Sequence, residues 1–363
     1  MRRRDRDPWL AGLLTGLVWL ASAPAANAEW KLQSEDGKQS IKFGFLAQLR
    51  AESIDTADGE DTTTDLFFRR LRLMAGGKLS DKWSFFFETD SPNLGKSNAA
   101  GEKTTDEFFI QDFYVSYKHS DAVQVDVGLI LIPLSHNSTQ SAVTLLPSGD
   151  YGPYSFLNSG PTRSKVGRDY GVQLRGYLAE SHFEYRLGVY DGFRGPNSTN
   201  ALRWAGRVVY HVFEPETGMF YTGTTLGAKR HLSFGASVDT QEDYQAVAFD
   251  VFWDQPTSDG DAFTFQADVI NYDGDVFFPT LPDQDASLVE LGYWFSKSRL
   301  QPYVQYAQRD FAGAGADEDS LAVGLNYRMA KHNRVLRFEY NQLTRDGAPD
   351  RDRFLVNFQV FSF

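Results

Sequence analysis

The chain contains no cysteine, which excludes a disulfide framework and any thiolate metal site. Beyond residue 28 it has no apolar run near the ~20 residues that a membrane helix needs. Mean hydropathy is negative, so a bundle of transmembrane helices is excluded. Positive charge is also short: 36 Lys and Arg against 48 Asp and Glu leave a net charge of −12, which argues against nucleic acid as a partner. Histidine is scarce, and His119, His136, His182, His211, His231 and His332 show no metal-ligand spacing. No elbow motif marks a hydrolase serine, and His136-Asn137-Ser138 resembles a site only by its letters. The acidic stretches lack the glycine-centred spacing of a calcium loop. Neither an enzyme nor a metal or other cofactor is expected. What the 363 residues do have is aromatic weight, with 29 Phe, 17 Tyr and 7 Trp, too much for a disordered chain.

Residues 1–28 read as an export signal. Arg2, Arg3, Arg4 and Arg6 form a basic start, Leu10 to Leu20 an apolar stretch, and Ala26-Asn27-Ala28 a small-x-small cleavage site. Eleven apolar residues are too few to span a bilayer comfortably. Cleavage after Ala28 is expected, leaving 29–363 as one structural unit.

That unit is written in period two, the alternation of strands with one apolar face. In 41–52, Ile41, Phe43, Phe45, Ala47, Leu49 and Ala51 oppose Lys42, Gly44, Leu46, Gln48, Arg50 and Glu52. In 182–190, Phe183, Tyr185, Leu187 and Val189 oppose Glu184, Arg186 and Gly188. Sixteen such runs are found between 40–52 and 353–363, most of 9 to 13 residues. Short connectors at 79–81, 120–121, 180–181 and 298–299 alternate with long ones at 53–65, 92–106, 133–168, 273–286 and 311–319. Strands of this length, joined alternately by turns and long loops, describe a transmembrane antiparallel β-barrel of about 16 strands. In hydrocarbon every backbone amide needs a partner within the protein, so the sheet must close, with its apolar face on lipid and its polar face on an aqueous interior.

Two places resist the scheme. Around 214–261 the order of short and long connectors inverts, which predicts a missed or misplaced strand. In the last strand Phe361 and Phe363 have the opposite parity to Phe354, Val356, Phe358 and Val360, which predicts a bulge. Trp83, Trp204, Trp253, Tyr303, Tyr306 and Tyr340 are candidates for the aromatic girdles.

Polar parity puts Lys42, Arg50, Arg70, Arg72, Arg175, Arg186, Arg207, Arg328 and Arg337 on the interior. Arg50, Arg70, Arg72, Arg328 and Arg337 would share one wall once the first and last strands meet. Guanidinium ladders select anions, because they stay charged and present forked donors. Inward acids, among them Glu88, Asp112, Asp126, Glu184 and Asp250, offer the plainer alternative of internal ion pairing. An inward fold of 133–168 would form a constriction, with Arg163, Lys165 and Arg168 against Asp150.

Several stretches resemble the phosphate-selective porin O and P family of Gram-negative outer membranes. They are Phe67-Phe68-Arg69-Arg70-Leu71-Arg72-Leu73, Gln111-Asp112-Phe113-Tyr114-Val115 with Val127-Gly128 and Pro133, and Gly167-Arg168-Asp169-Tyr170-Gly171-Val172-Gln173-Leu174 followed by Tyr185 to Gly192. Ala205-Gly206-Arg207-Val208-Val209 and the terminal Phe363 fit as well. The resemblance spans essentially the whole mature chain. It implies a sixteen-stranded homotrimeric outer-membrane porin, surrounded by lipid and lipopolysaccharide, that passes small anions such as phosphate or polyphosphate. The chain departs from the family where a lysine usually stands between the Gly and the Pro of the fifth strand. It reads Leu129-Ile130-Leu131-Ile132 there, with His136 near the place of a frequent glutamate, which bears on phosphate selectivity and not on the fold. The rival readings are a general or cation-leaning pore, favoured by the net charge, and a soluble periplasmic all-β binding protein.

Overall fold

The computed structural model describes residues 30–98, 100–104, 108–147, 149–159 and 166–363. A short β1 (Trp30–Gln33) precedes β2 (Ser40–Asp55), β3 (Thr62–Lys78), β4 (Trp83–Asp90), β5 (Phe109–Lys118) and β6 (Gln124–Leu131). After a long connector come β7 (Arg168–Leu178), β8 (Phe183–Tyr190), β9 (Arg203–His211), β10 (His231–Gln241) and β11 (Tyr244–Pro256). The chain ends with β12 (Ala262–Asp273), β13 (Gln284–Trp294), β14 (Leu300–Phe311), β15 (Glu318–Ala330), β16 (Arg334–Arg345) and β17 (Arg351–Ser362). Each strand from β2 onward pairs antiparallel with the next, and β17 returns to pair with β2 from Arg353↔Ile54 to Ser362↔Phe45. The result is a closed barrel of sixteen strands, as the alternation predicts. β1 pairs with the remaining end of β2, Trp30 opposite Phe43, and so continues the line of β17. No sequence signal announced β1, because four residues are too short to show a period.

The inverted connectors around 214–261 are real, and no strand is missing there. The segment 212–230 joins β9 to β10 at the end where the other joins are short. At the opposite end only Glu242 and Asp243 join β10 to β11.

Burial alternates along the strands as lipid-facing and interior positions should. Trp83, Trp204, Trp253, Tyr306 and Tyr340 are exposed on the outer face. Tyr303 is not a girdle residue: it points inward, and its hydroxyl donates to Glu339 Oε2 at 2.7 Å. The bulge predicted near the C-terminus is likewise absent, since the β17–β2 register runs without a shift. Phe361 and Phe363 face inward because the barrel interior is apolar at that level, where they pack on Leu46, Met74, Ala142 and Val143.

Candidate functional site

The described residues of the connector 132–167 run through the barrel. Gln359 Nε2 on β17 donates to Val143 O at 3.0 Å, Arg337 Nη1 on β16 to Pro147 O at 2.6 Å, and Asn326 Nδ2 on β15 to Leu146 O at 2.8 Å. On the far wall Gln140 Nε2 meets Gln266 Oε1 of β12 at 2.8 Å, and Asn158 Nδ2 meets Asp239 Oδ2 of β10 at 2.8 Å. A segment bonded to opposite walls lies inside. Its single helical turn, α1 (His136–Thr139), is capped reciprocally: Ser138 N donates to Ser135 Oγ at 3.1 Å and Ser135 N to Ser138 Oγ at 2.9 Å.

A second connector enters from the opposite end. Within 212–230, Tyr221 pairs with the first connector, its N–H donating to Thr139 O at 3.0 Å and its carbonyl accepting from Ser141 N at 2.8 Å. The Tyr221 ring stacks on His136 at 4.9 Å, and Phe252 of β11 covers the other face of the imidazole at 4.1 Å. Arg186 donates to Met219 O and Gly218 O at 2.8 and 2.9 Å, which ties the same segment to β8. The open lumen expected of sixteen strands is therefore divided by two interlocked connectors. A cavity of about 150 Å³ remains between them and the β3–β4 wall, bordered by Arg72, Phe86, Glu88, Phe220 and Phe363.

The basic residues picked out by parity all sit on interior positions, and most are matched by acids. Arg72 holds Glu88 at 2.7 Å and Asp90 at 2.9 Å. Arg175 holds Asp126 at 2.7 Å, Arg186 holds Glu184 at 2.5 Å, and Arg207 holds Asp250 at 2.6 Å. Arg168 opens β7 and makes a two-pronged contact with Asp112 at 3.1 and 3.0 Å. Lys42 lies near the lower rim with its ammonium 5.3 Å from the Phe363 ring. Arg163 and Lys165 lie outside the described residues. The inward pair Arg203–Asp239, 2.5 Å apart, was not anticipated, although Arg203 shares the inward parity of Arg207 on the same strand.

Two arginines differ. Arg328 and Arg337, on neighbouring β15 and β16, are buried and have no carboxylate within ion-pair distance among the described residues. Arg328 Nε donates to Gln301 Oε1 at 2.6 Å, and its Nη1 lies 3.1 Å from His332 Nδ1. Arg337 donates to the carbonyls of Leu145 and Pro147 and to Gln359 Oε1. Arg328 Nη2, Arg337 Nε and both amide atoms of Asn357 have no hydrogen-bond partner among the described residues. Asn326, Arg337, Asn357 and Arg50 stand opposite one another in turn across β15, β16, β17 and β2. The shared basic wall thus exists, with amide side chains between its guanidinium groups.

At the upper end of that wall the β2–β3 ladder shifts register between Gln48 and Leu49. The shift lets two consecutive residues, Arg69 and Arg70, turn inward. Strict alternation could assign only one of them, so Arg69 was missed. Both meet Asp150 of the first connector: Arg69 Nε at 2.8 Å and Arg70 Nη1 at 3.8 Å, with Arg50 Nη1 at 2.6 Å from the third side. These cations hold the Asp150 carboxyl well below the usual carboxylate range. Gly149, at φ +88°, turns the chain so that its carbonyl also accepts from Arg70.

Residues 41–246 match the family described as phosphate-selective porin O and P. Among curated protein sequences no significant relative is found. Among solved structures, the anion-selective porin from Comamonas acidovorans superposes with a TM-score of 0.62 at 13% identity, covering 89% of this chain and 100% of that one. Salmonella typhi OmpF, in a complex with daunomycin, gives 0.60 at 13% identity over 92% and 100%. The outer-membrane channel DcaP of Acinetobacter baumannii gives 0.57 at 12% over 91% and 99%. At such identities these likenesses speak for the fold alone.

Proposed function

The chain belongs to the phosphate-selective porin O and P family, and on that premise we propose that it passes small hydrophilic solutes passively, with a preference for anions such as phosphate or polyphosphate. A channel of the Gram-negative outer membrane is what the family and the barrel support. The anion preference rests on one observation, the buried Arg328 and Arg337, which among the described residues have no carboxylate within ion-pair distance. A buried cation is costly unless an opposite charge or good acceptors satisfy it, and the orphan N–H groups leave this stretch of wall with uncompensated positive potential. The pore lining of this reading is the basic set named from the sequence, with Arg328 and Arg337 as its unmatched members. Export on residues 1–28, cleavage after Ala28 and homotrimeric assembly in lipid and lipopolysaccharide complete the proposal.

The second reading, a general or cation-leaning pore, is favoured by the pairing of Arg72, Arg168, Arg175, Arg186 and Arg207 with acids. Reversal potential across a planar bilayer in a KCl gradient separates the two. A potential on the chloride side supports the anion reading, and one at zero or on the potassium side overturns it.

A further inference from the structure

The cavity of about 150 Å³ beside the β3–β4 wall has two unlike sides. One is apolar and mostly aromatic. Phe86 of β4 stands at its centre, with the Phe363 ring edge-on at 5.8 Å and the Phe220 ring edge-on at 5.7 Å. Met74, Val143 and Phe361 extend this surface. The terminal ring is seated by a missing side chain: a Cβ on Gly76 would stand 3.1 Å from Phe363 Cζ and 3.4 Å from Phe86 Cδ2. The other side is ionic, and its donors are already in use. Arg72 gives Nε and Nη2 to Asp90 Oδ2 at 3.0 and 2.9 Å, and Nη1 to Glu88 Oε1 at 2.7 Å. Arg168 gives Nε and Nη2 to Asp112 and Nη1 to the Val166 carbonyl at 2.8 Å. Every guanidinium nitrogen of the two arginines therefore donates within the protein. Acceptors are left over. Glu88 borders the cavity with 9% of its side chain exposed, and its Oε2 receives no hydrogen bond among the described residues. Gln140 borders the same cavity, and its Oε1 has no partner among the described residues either.

We propose that this cavity binds a flat single ring that carries a hydrogen-bond donor and no negative charge, a monocyclic phenol being the simplest case. A void of about 150 Å³ holds one benzene-sized molecule. The edge-on rings of Phe86, Phe220 and Phe363 offer a further ring the edge-to-face and offset packings, at centroid spacings of about 4.5–7 Å, that aromatic pairs favour. A hydroxyl on that ring donates to Glu88 Oε2, and the carboxylate makes this a charge-assisted hydrogen bond. A ring carboxylate brings acceptors alone. It meets arginines whose nitrogens are engaged and three carboxylates, Glu88, Asp90 and Asp112, on the same side, so it is repelled. This preference is separate from the anion reading, which rests on Arg328 and Arg337 of β15 and β16.

The test uses the full-length barrel in lipid nanodiscs and three probes followed by fluorine NMR: 4-fluorophenol, fluorobenzene and 4-fluorobenzoate. Empty nanodiscs give the baseline for partition into lipid, and heat-modifiable gel mobility checks that variants fold. 4-Fluorophenol is expected to bind saturably and about tenfold more tightly than fluorobenzene, the scale of one hydrogen bond to a carboxylate. 4-Fluorobenzoate is expected to bind no more tightly than fluorobenzene. Ala142→Phe puts a ring into the cavity and should abolish saturable binding of the phenol. Glu88→Leu, which leaves Arg72 on Asp90, should remove the preference for the phenol over fluorobenzene. A wild-type barrel that adds no saturable phenol signal to that of empty nanodiscs overturns the proposal, and so does benzoate bound as tightly as phenol. Both results need no variant, so a failure of Ala142→Phe or Glu88→Leu to fold does not shelter it. Phenol binding unchanged in a folded Ala142→Phe barrel would place the ligand outside this cavity and overturn the proposal as well.

Discussion

Arg207 and Asp250 reach toward each other over a strand that lies between them. Their side chains leave β9 and β11 and meet above β10, with Nη1–Oδ2 at 2.6 Å and Nη2–Oδ1 at 2.8 Å. Gly235 sits directly underneath, and a Cβ there would stand 2.5 Å from both Arg207 Nη2 and Asp250 Oδ1. The pair also fixes the second connector, because Arg207 Nε donates to the Tyr221 hydroxyl at 3.2 Å and its guanidinium lies 5.4 Å from the Tyr221 ring. The bridge therefore joins the barrel wall to the segment that fills it.

Gly235→Val should break this bridge. The branched side chain cannot share the space, and separating a buried ion pair leaves charge without compensation at a cost of about 3–5 kcal/mol. Urea unfolding of the liposome-inserted barrel, followed by tryptophan fluorescence, should show a lower midpoint for Gly235→Val. An unchanged midpoint would mean that the pair yields without loss.

Arg328→Gln with Arg337→Gln keeps hydrogen-bonding side chains on the wall and removes two charges that make no ion pair among the described residues. The reversal potential in a KCl gradient should move toward zero. The matched control is Arg175→Gln with Asp126→Asn, which deletes one charge of each sign and should move it much less. Equal shifts in the two double variants would place the selectivity elsewhere.

The fold was legible because a barrel wall is periodic: one residue faces lipid and the next faces the interior, and runs such as 41–52 follow that rule along most of their length. The interior was legible only as far as parity reaches. Arg69 escaped because a register shift adds a residue to the alternation, and Tyr303 was misplaced because aromatic character outweighed parity. The partners of Arg72 and Arg207 lie 16 and 43 positions away in the chain, so which arginines are neutralised depends on strand register rather than on any local pattern. The inward path of 212–230 has no period at all. It is held by single contacts, such as Tyr221 on Thr139 and Arg186 on Gly218, that only the folded barrel brings together.

Tyr221 is the residue through which the two connectors hold each other. Tyr221→Ala removes the stack on His136, the hydroxyl bond to Glu184 at 3.0 Å and the ring beside Arg186 and Arg207. The barrel itself should survive, since its sixteen-strand ladder is untouched. Single-channel conductance should rise, on the order of two- to threefold, as the freed segment gives up cross-section. Conductance equal to the wild type would show that 212–230 stays seated without its central ring.

His136 should make the assembly sensitive to acid. Its ring is clamped between Tyr221 and Phe252, and its Nε2 lies 3.3 Å from Thr222 O, which fixes the neutral tautomer with the proton on Nε2. Burial first, then Arg207, His231 and His211, keep it from protonating until well below 6.5. An unfolded chain takes up that proton near 6.5, so below this pH the unfolded state binds more protons than the native state. Stability is therefore complete above pH 6.5 and is lost as pH falls, by up to about 1.4 kcal/mol per unit for one histidine. His332, in the turn 331–333, is held low in the same direction by burial and Arg328, and it adds its own share. His136→Phe keeps a flat ring between Tyr221 and Phe252 but has no proton to gain. Its urea midpoint should fall less than that of the wild type between pH 7 and pH 5, while the His332 share remains. If both proteins lose the same stability over that interval, the clamped imidazole is not what acid attacks.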